Sequence, residues 1–171
     1  MQVPVLETAR LRLRAHSVSD FPALLAMWSD AAVIHYIGGK PKPPDECWTR
    51  LLRYRGLWPL LGFGYWAVEE RATGRFAGDV GFADFHRTLE PSIHGVAEMG
   101  WVLGPDFHGK GYASEAVAAA LAWFDAAGKG RSVCIIDPAN EPSMRLAAKN
   151  GFNEYCRAVF MGDEVILLER G

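Results

Sequence analysis

Apolar and polar positions follow two rhythms along the chain, and each change of rhythm marks an element. Over residues 11–15 Leu11 and Leu13 alternate with Arg12 and Arg14, the two-residue period of a strand with one buried face. Ser19-Asp20 then offers a cap for a helix whose apolar positions Phe21, Leu24, Leu25 and Trp28 recur at helical spacing. A Gly- and Pro-rich loop, residues 38–44, leads to a second helix entered at Asp45. The spacing places Trp48, Leu51, Leu52 and Arg55 along one side of it and ends it before Pro59.

Strand rhythm returns in Tyr65–Glu70 and in residues 75–85, joined by Arg71-Ala72-Thr73-Gly74, a hairpin turn by composition. Gly78 and Gly81 in the second run point to a bulge or to the close approach of another group. Residues 86–95, broken by Pro91, read as an irregular connection, and residues 96–103 as the third strand of an antiparallel meander. Val117, Ala120, Leu121 and Phe124 restore helical spacing in a helix that stops near Gly128. Ser132–Ile136 is a β-branched run of the kind buried on both faces. Because a helix separates it from residues 96–103, those two strands are expected to be parallel neighbours. A short helix over residues 142–150 ends at Gly151, and residues 154–160 and 165–168 form a hairpin around Gly162-Asp163.

The resulting expectation is an α+β fold: a mixed, mostly antiparallel sheet with a central parallel pair and helices on both faces. Neither linker nor repeat interrupts the alternation, so residues 1–171 read as a single domain. Half the residues are apolar and 22% are charged, enough for a full core. The net charge of −2 argues against nucleic acid as a partner, and Arg10, Arg12 and Arg14 read as the solvent face of a strand. The N-terminus lacks the pattern of a targeting signal, and the apolar run 116–124 is short of the about 20 residues that span a bilayer. A soluble, cytoplasmic protein without a membrane partner is expected, monomeric or homodimeric. Three cysteines, Cys47, Cys134 and Cys156, read as reduced structural thiols, and none has a partner at metal-ligand spacing, so no metal is expected.

The chemistry is expected in residues 98–115, where a strand stops at Gly104-Pro105, a tight loop carries Gly109 and Gly111, and a helix opens. Glycines let the main chain approach a ligand, and the unpaired N–H groups of a first helical turn attract an anion. The ligand then lies at the carboxyl ends of the parallel strands.

These residues carry a resemblance. The loop His108-Gly109-Lys110-Gly111-Tyr112-Ala113 resembles the pyrophosphate-binding signature of the Gcn5-related N-acetyltransferases, and the segment from Asn140 through Ser143 and Lys149 to Gly151-Phe152 resembles the second half of their acetyl-CoA site. Thr8 to Arg14, Gly78 to Gly81, Glu98-Met99-Gly100 and Ser114-Glu115-Ala116 are similar to the branch that includes the ribosomal-protein N-terminal-alanine acetyltransferases. The resemblance spans nearly the whole chain and implies acetyl transfer from acetyl-CoA, the cosubstrate, to a primary amine, on a protein N-terminus or a small molecule, by direct attack in a ternary complex. It implies that the N–H groups from Gly109 to Ser114 hold the diphosphate and that the two central strands splay apart. The pantetheine arm then pairs with main chain at Trp101, Val102 and Leu103.

Individual side chains keep two readings each. His108 stands where the family commonly has Gln or Arg and is either a backbone position with a filler side chain or a phosphate contact. Lys110 is a solvated lysine near phosphate. Asn140 caps a helix and, by resemblance, also meets the coenzyme; Arg145 and Lys149 are either solvated helix charges or receivers of the 3′-phosphate or pantetheine. Glu98 shares a strand face with Val96, Gly100 and Val102 and is the candidate base, or a strand carboxylate paired to an arginine. Many relatives carry a Tyr as general acid at the position of Ala147; Ser143, one turn earlier, is the substitute, with Tyr112 and Tyr155 in reserve. Glu115 reads as a helix-dipole residue. Tyr36, Trp58, Phe63, Tyr65 and Trp66 are candidate walls of the acceptor pocket, and Asp84, His86 and Glu90 candidate partners of a cationic amine. A non-catalytic acyl-CoA-binding module and a nucleotide-binding regulatory domain are the competing readings; the latter lacks both a Walker lysine motif and an acidic ribose partner.

Overall fold

The structure is a computed structural model that describes residues 2–171. Among the described residues eight strands form one sheet: β1 (Leu6–Glu7), β2 (Leu11–Arg14), β3 (Tyr65–Glu70), β4 (Phe76–Ala83), β5 (Ala97–Leu103), β6 (Ser132–Ile136), β7 (Asn153–Phe160) and β8 (Asp163–Arg170). Their order is β1-β2-β3-β4-β5-β6-β8-β7, antiparallel throughout except for β5 and β6. The helices are α1 (Phe21–Ser29), α2 (Ala31–Ile34), α3 (Pro44–Leu61), α4 (Tyr112–Ala126) and α5 (Glu141–Lys149). The mixed sheet with one central parallel pair is the architecture that the alternation of strand and helix predicts. Among the described residues no helix is long and apolar enough to cross a membrane.

Strand alternation distributes the core to both sheet faces. Val80 and Phe82 of β4 and Met99 of β5 pack with Val117, Leu121 and Phe124 of α4, where Phe82 and Phe124 stack at 4.1 Å. Phe76 and Val102 face the other way, toward Leu24, Trp28, Val33 and Leu51 of the first three helices.

The parallel pairing is short. Ala97 is opposite Ser132 and Glu98 opposite Val133, and beyond that point β5 and β6 separate. β6 continues beside β8 as far as Ile136, while β5 keeps β4 on its inner side. The main chain of Trp101, Val102 and Leu103 therefore borders a gap in the sheet.

Two glycines explain how β4 fits. A Cβ on Gly81 would fall 2.4 Å from Tyr65 Cα, and one on Gly78 would fall 2.1 Å from the Val102 carbonyl oxygen. The register between β3 and β4 also shifts at Val68/Glu69, so both expected consequences, bulge and close approach, occur in this strand.

Helix α3 departs from the expected face and end. Its buried residues are Cys47, Leu51, Tyr54, Leu57 and Trp58, whereas Trp48 and Leu52 are 37% and 51% exposed. Of the expected stripe Leu51 does face inward, but the Trp48 ring packs edge-on against Phe21 at the surface. Pro59 stays inside the last turn, and the helix closes at Gly62, whose N–H donates to the Trp58 carbonyl. Asp20 does not cap α1 through its side chain. It is buried, accepting from the Ser17 N–H and from both terminal nitrogens of Arg14 at 2.8–2.9 Å. Helix α2 has no counterpart in the apolar spacing; Asp30 starts it by accepting from the Ala32 N–H.

Candidate functional site

Where β5 and β6 part, a cleft of about 540 Å³ opens at their carboxyl ends. Trp101, Val102 and Leu103 form its floor, and His108, Gly109, Gly111, Tyr112 and Ala113 form the wall at the entrance to α4. Asn140, Pro142, Ser143 and Leu146 of the α5 segment face that wall, and Ala32, Val33, Tyr36 and Ile37 close the side nearest α2. Most residues expected to contact a coenzyme thus line one cavity. Lys110, Ser114, Arg145 and Lys149 stand outside its lining.

The glycine loop is shaped by fixed contacts rather than by glycine alone. Gly111 precedes α4 with φ +76°, a conformation that side chains with a Cβ resist, and among the described residues no side chain caps the first turn of that helix. Its leading N–H groups are therefore free to meet an anion. His108 binds back through Nε2 to the Leu103 carbonyl at 2.7 Å, so its ring ties the loop to the end of β5 and is neither a filler nor a free side chain. Arg10 donates to the Lys110 carbonyl at 2.8 Å, lies over the Tyr112 ring at 4.6 Å, and forms an ion pair with Glu115 at 2.7 Å. Glu115 also accepts from Thr8 Oγ1 at 2.5 Å and from the Arg10 N–H at 2.8 Å. Burial pushes the Glu115 carboxyl up, but these hydrogen bonds outweigh it and hold the group below its usual range. Arg10 and Glu115 are thus a brace across the loop, missed in the sequence because the partners lie more than a hundred residues apart. Lys110 extends over the Phe107 ring at 5.7 Å.

Across the cleft, Asn140 Oδ1 accepts from the Ser143 N–H at 3.2 Å, capping α5. Ser143 Oγ accepts from Trp101 Nε1 at 3.3 Å, a bond that spans from α5 to the strand floor. Lys149 Nζ donates to Ser114 Oγ at 3.0 Å, joining the end of α5 to the start of α4, and Arg145 pairs with Glu141 one turn away. Ala147 is fully buried in the core beneath α5.

Glu98 sits at the closed end of the strand gap and is buried, as its strand position implies. Both oxygens are taken by Arg87, from Nε at 2.7 Å and Nη2 at 2.9 Å, which realises the paired-carboxylate reading of this residue. Burial opposes the charge on Arg87, and the Glu98 hydrogen bond more than restores it. Asp84 accepts from the N–H groups of His86 and Gly95 and so shapes the irregular segment. Of the aromatic wall candidates, Tyr36 lines the cleft, Trp58 and Trp66 are core, Phe63 packs on the core, and Tyr65 is buried beneath α3.

A sheet whose central parallel strands part beside a glycine-entered helix is the arrangement that the resemblance to the Gcn5-related N-acetyltransferases implies. The Acetyltransferase (GNAT) domain model matches residues 10–153, and the chain belongs to this family. It is similar to YoaA of Bacillus subtilis strain 168, described as an uncharacterized N-acetyltransferase, with 29% identity over 88% of this chain and 84% of that protein. A structure described as a GNAT-family acetyltransferase from Bordetella pertussis superimposes with a TM-score of 0.85, at 32% identity, over 98% of this chain and 99% of the other. The ribosomal-protein-S5-alanine acetyltransferase of Vibrio fischeri shares the fold, with a TM-score of 0.77 at 21% identity over 98% and 96% of the two chains. The protein is an acetyltransferase, and its family uses acetyl-CoA.

Proposed function

We propose that residues 1–171 act as one N-acetyltransferase domain that carries the acetyl group of acetyl-CoA directly to a primary amine in a ternary complex. The observation that carries this reading is the cleft itself: main chain of β5 without a β6 neighbour on its floor, where the Leu103 carbonyl accepts from His108, and an uncapped helix start on its wall. An extended pantetheine arm adds to a strand edge as a peptide does, through main-chain hydrogen bonds, and the diphosphate meets the N–H groups from Gly109 to Ser114. In this reading Trp101, Val102 and Leu103 hold the arm, His108, Lys110, Tyr112 and Ala113 complete the loop, and Asn140 and Ser143 contact the coenzyme from α5. Lys149 and Arg145 lie beyond the lining, where they meet its outer phosphate.

The amine must arrive neutral, and the departing sulfur needs a hydrogen bond. Ser143 Oγ faces the cleft and is already aligned by Trp101, which supports its role at the sulfur. Glu98 is the acidic group nearest the closed end of the gap. It accepts the amine proton through water once the amine competes with Arg87. The acceptor, a protein N-terminus or a small amine, enters along α2 past Tyr36.

Isothermal titration with acetyl-CoA, followed by thiol release against a panel of amines and N-terminal peptides, tests the reading. Saturable binding and turnover on at least one amine are expected. Absence of binding overturns the coenzyme assignment, and binding without turnover on any amine overturns the acceptor assignment.

A further inference from the structure

The place of a side chain on Gly100 is taken by Tyr65. An ideal Cβ at Gly100 would fall 2.2 Å from Tyr65 Oη and 3.3 Å from Cζ, so the phenol hydroxyl rests on the bare backbone of β5. Tyr65 is 5% exposed, and its ring stacks on Tyr54 with centroids 4.3 Å apart and planes 4° from parallel. Arg50 in turn donates to the Tyr54 hydroxyl at 3.3 Å, fixing the stack from behind.

The Tyr65 hydroxyl has no side-chain hydrogen-bond partner among the described residues. In the same layer the buried Trp58 Nε1 donates to the Tyr65 carbonyl at 3.1 Å, as a structural polar group does. The Tyr65 oxygen is not one of the buried side-chain atoms left without a partner, so the tip of this otherwise buried residue stays accessible and free to meet a ligand in the working complex.

Its position says what. Gly100 lies just beyond Glu98↔Val133, where the parallel strands part. On the coenzyme reading proposed above, on which this inference rests, the arm runs from the loop at 109–114 past Leu103 and Trp101 toward that closed end. Its thioester then arrives level with Gly100. We infer that the Tyr65 hydroxyl donates a hydrogen bond to the acetyl carbonyl oxygen and stabilises the oxyanion formed on attack. The amine nitrogen bonds to the carbonyl carbon, the carbon–sulfur bond breaks with its electron pair on sulfur, and the amine proton ends on sulfur. Tyr65 keeps its own proton throughout. Burial, reinforced by Tyr54 and Glu98, pushes its pKa well above the usual phenol value, so it is a neutral donor and not a proton relay.

The test uses acetyl-CoA labelled with carbon-13 at the carbonyl and needs no knowledge of the acceptor. Isotope-edited infrared spectra are recorded for the coenzyme bound to the parent and to Tyr65→Phe, which retains the stack on Tyr54. The carbonyl band is expected at lower frequency in the parent and shifted up toward that of free acetyl-CoA in the variant, with affinity changed by less than about tenfold. Equal carbonyl frequencies overturn the inference alone; absence of acetyl-CoA binding to the parent in calorimetry overturns the coenzyme reading and the inference with it. Should the variant fail to fold, parent protein labelled at tyrosine Cζ supplies the answer. The Tyr65 resonance moves with acetyl-CoA and not with CoA, whereas an equal response to both, or to neither, overturns the inference.

Discussion

Arg87 holds both carboxylate oxygens of Glu98, at 2.7 and 2.9 Å, at the point where the two parallel strands separate. The pair is mostly removed from water, with the Glu98 side chain 7% and the Arg87 side chain 28% exposed. Glu98→Gln keeps the shape but removes the charge that Arg87 faces, and is expected to lower stability by about 1–3 kcal/mol in denaturant melts. On the proposed mechanism Glu98 takes the amine proton, so the same variant is expected to lose turnover while its acetyl-CoA affinity is unchanged. Parent-like turnover removes Glu98 as the base and leaves the pair a structural one.

Gly111 is the residue whose replacement bears most directly on the coenzyme loop. Its φ of +76° costs an L residue about 1–2 kcal/mol, and an added Cβ would stand 3.4 Å from Arg10 Nη2. Gly111→Val is therefore expected to displace the brace on Lys110 and to weaken acetyl-CoA binding by at least about tenfold in calorimetry. Gly109→Ala is the control for strain alone: φ is +70°, but nothing lies near its Cβ. Equal affinity in Gly111→Val and the parent would count against this loop as the diphosphate site.

Most of the fold and much of the cleft were legible in the chain because both rest on local signals. Alternation gave β2 and β3, the β-branched run gave β6, and the glycine loop followed by helical spacing gave α4. The misplaced face of α3 has a physical cause: Trp48 is the larger apolar residue, yet tertiary packing favours Cys47, Tyr54 and Trp58, and size alone does not report which side meets the sheet. Side-chain partners set by tertiary packing were out of reach too. Glu98 meets Arg87 because the irregular segment after β4 folds back on β5, and Glu115 meets Arg10 because α4 packs beside the start of β2. The Tyr65–Gly100 contact is likewise invisible until β3, β4 and β5 are in register.

The Glu115 brace should make the loop sensitive to acid. Its folded carboxyl is held below the usual range, chiefly by Thr8 and Arg10 working against burial. A group with a depressed folded pKa contributes stability that is fully present above its unfolded value, about 4.3, and is lost as pH falls through the folded value. Thermal melts of the parent should therefore lose stability below about pH 4.3, and Glu115→Gln should show a smaller loss over that interval. Parallel curves for the two proteins would show that the brace carries no such linkage.

Gly78 links sheet geometry to the cleft from the far side of β5. A Cβ there would fall 2.1 Å from the Val102 carbonyl oxygen and 2.8 Å from Leu103 Cα, both main-chain atoms that no rotamer change can move. Relief requires β4 to shift away from β5 at the pairing of Gly78 with Leu103, or β5 to move into the gap that borders the cleft. Either movement alters the strand that floors the cavity, so Gly78→Ala is expected to cost more than about 3 kcal/mol, the upper range of ordinary overpacking. Any folded fraction should bind acetyl-CoA weakly, since the edge at Trp101, Val102 and Leu103 no longer presents its main chain in register. Urea melts and calorimetry on the same preparation separate the two effects. Parent-like affinity in a strongly destabilised Gly78→Ala would show that the coenzyme arm does not rely on the position of β5.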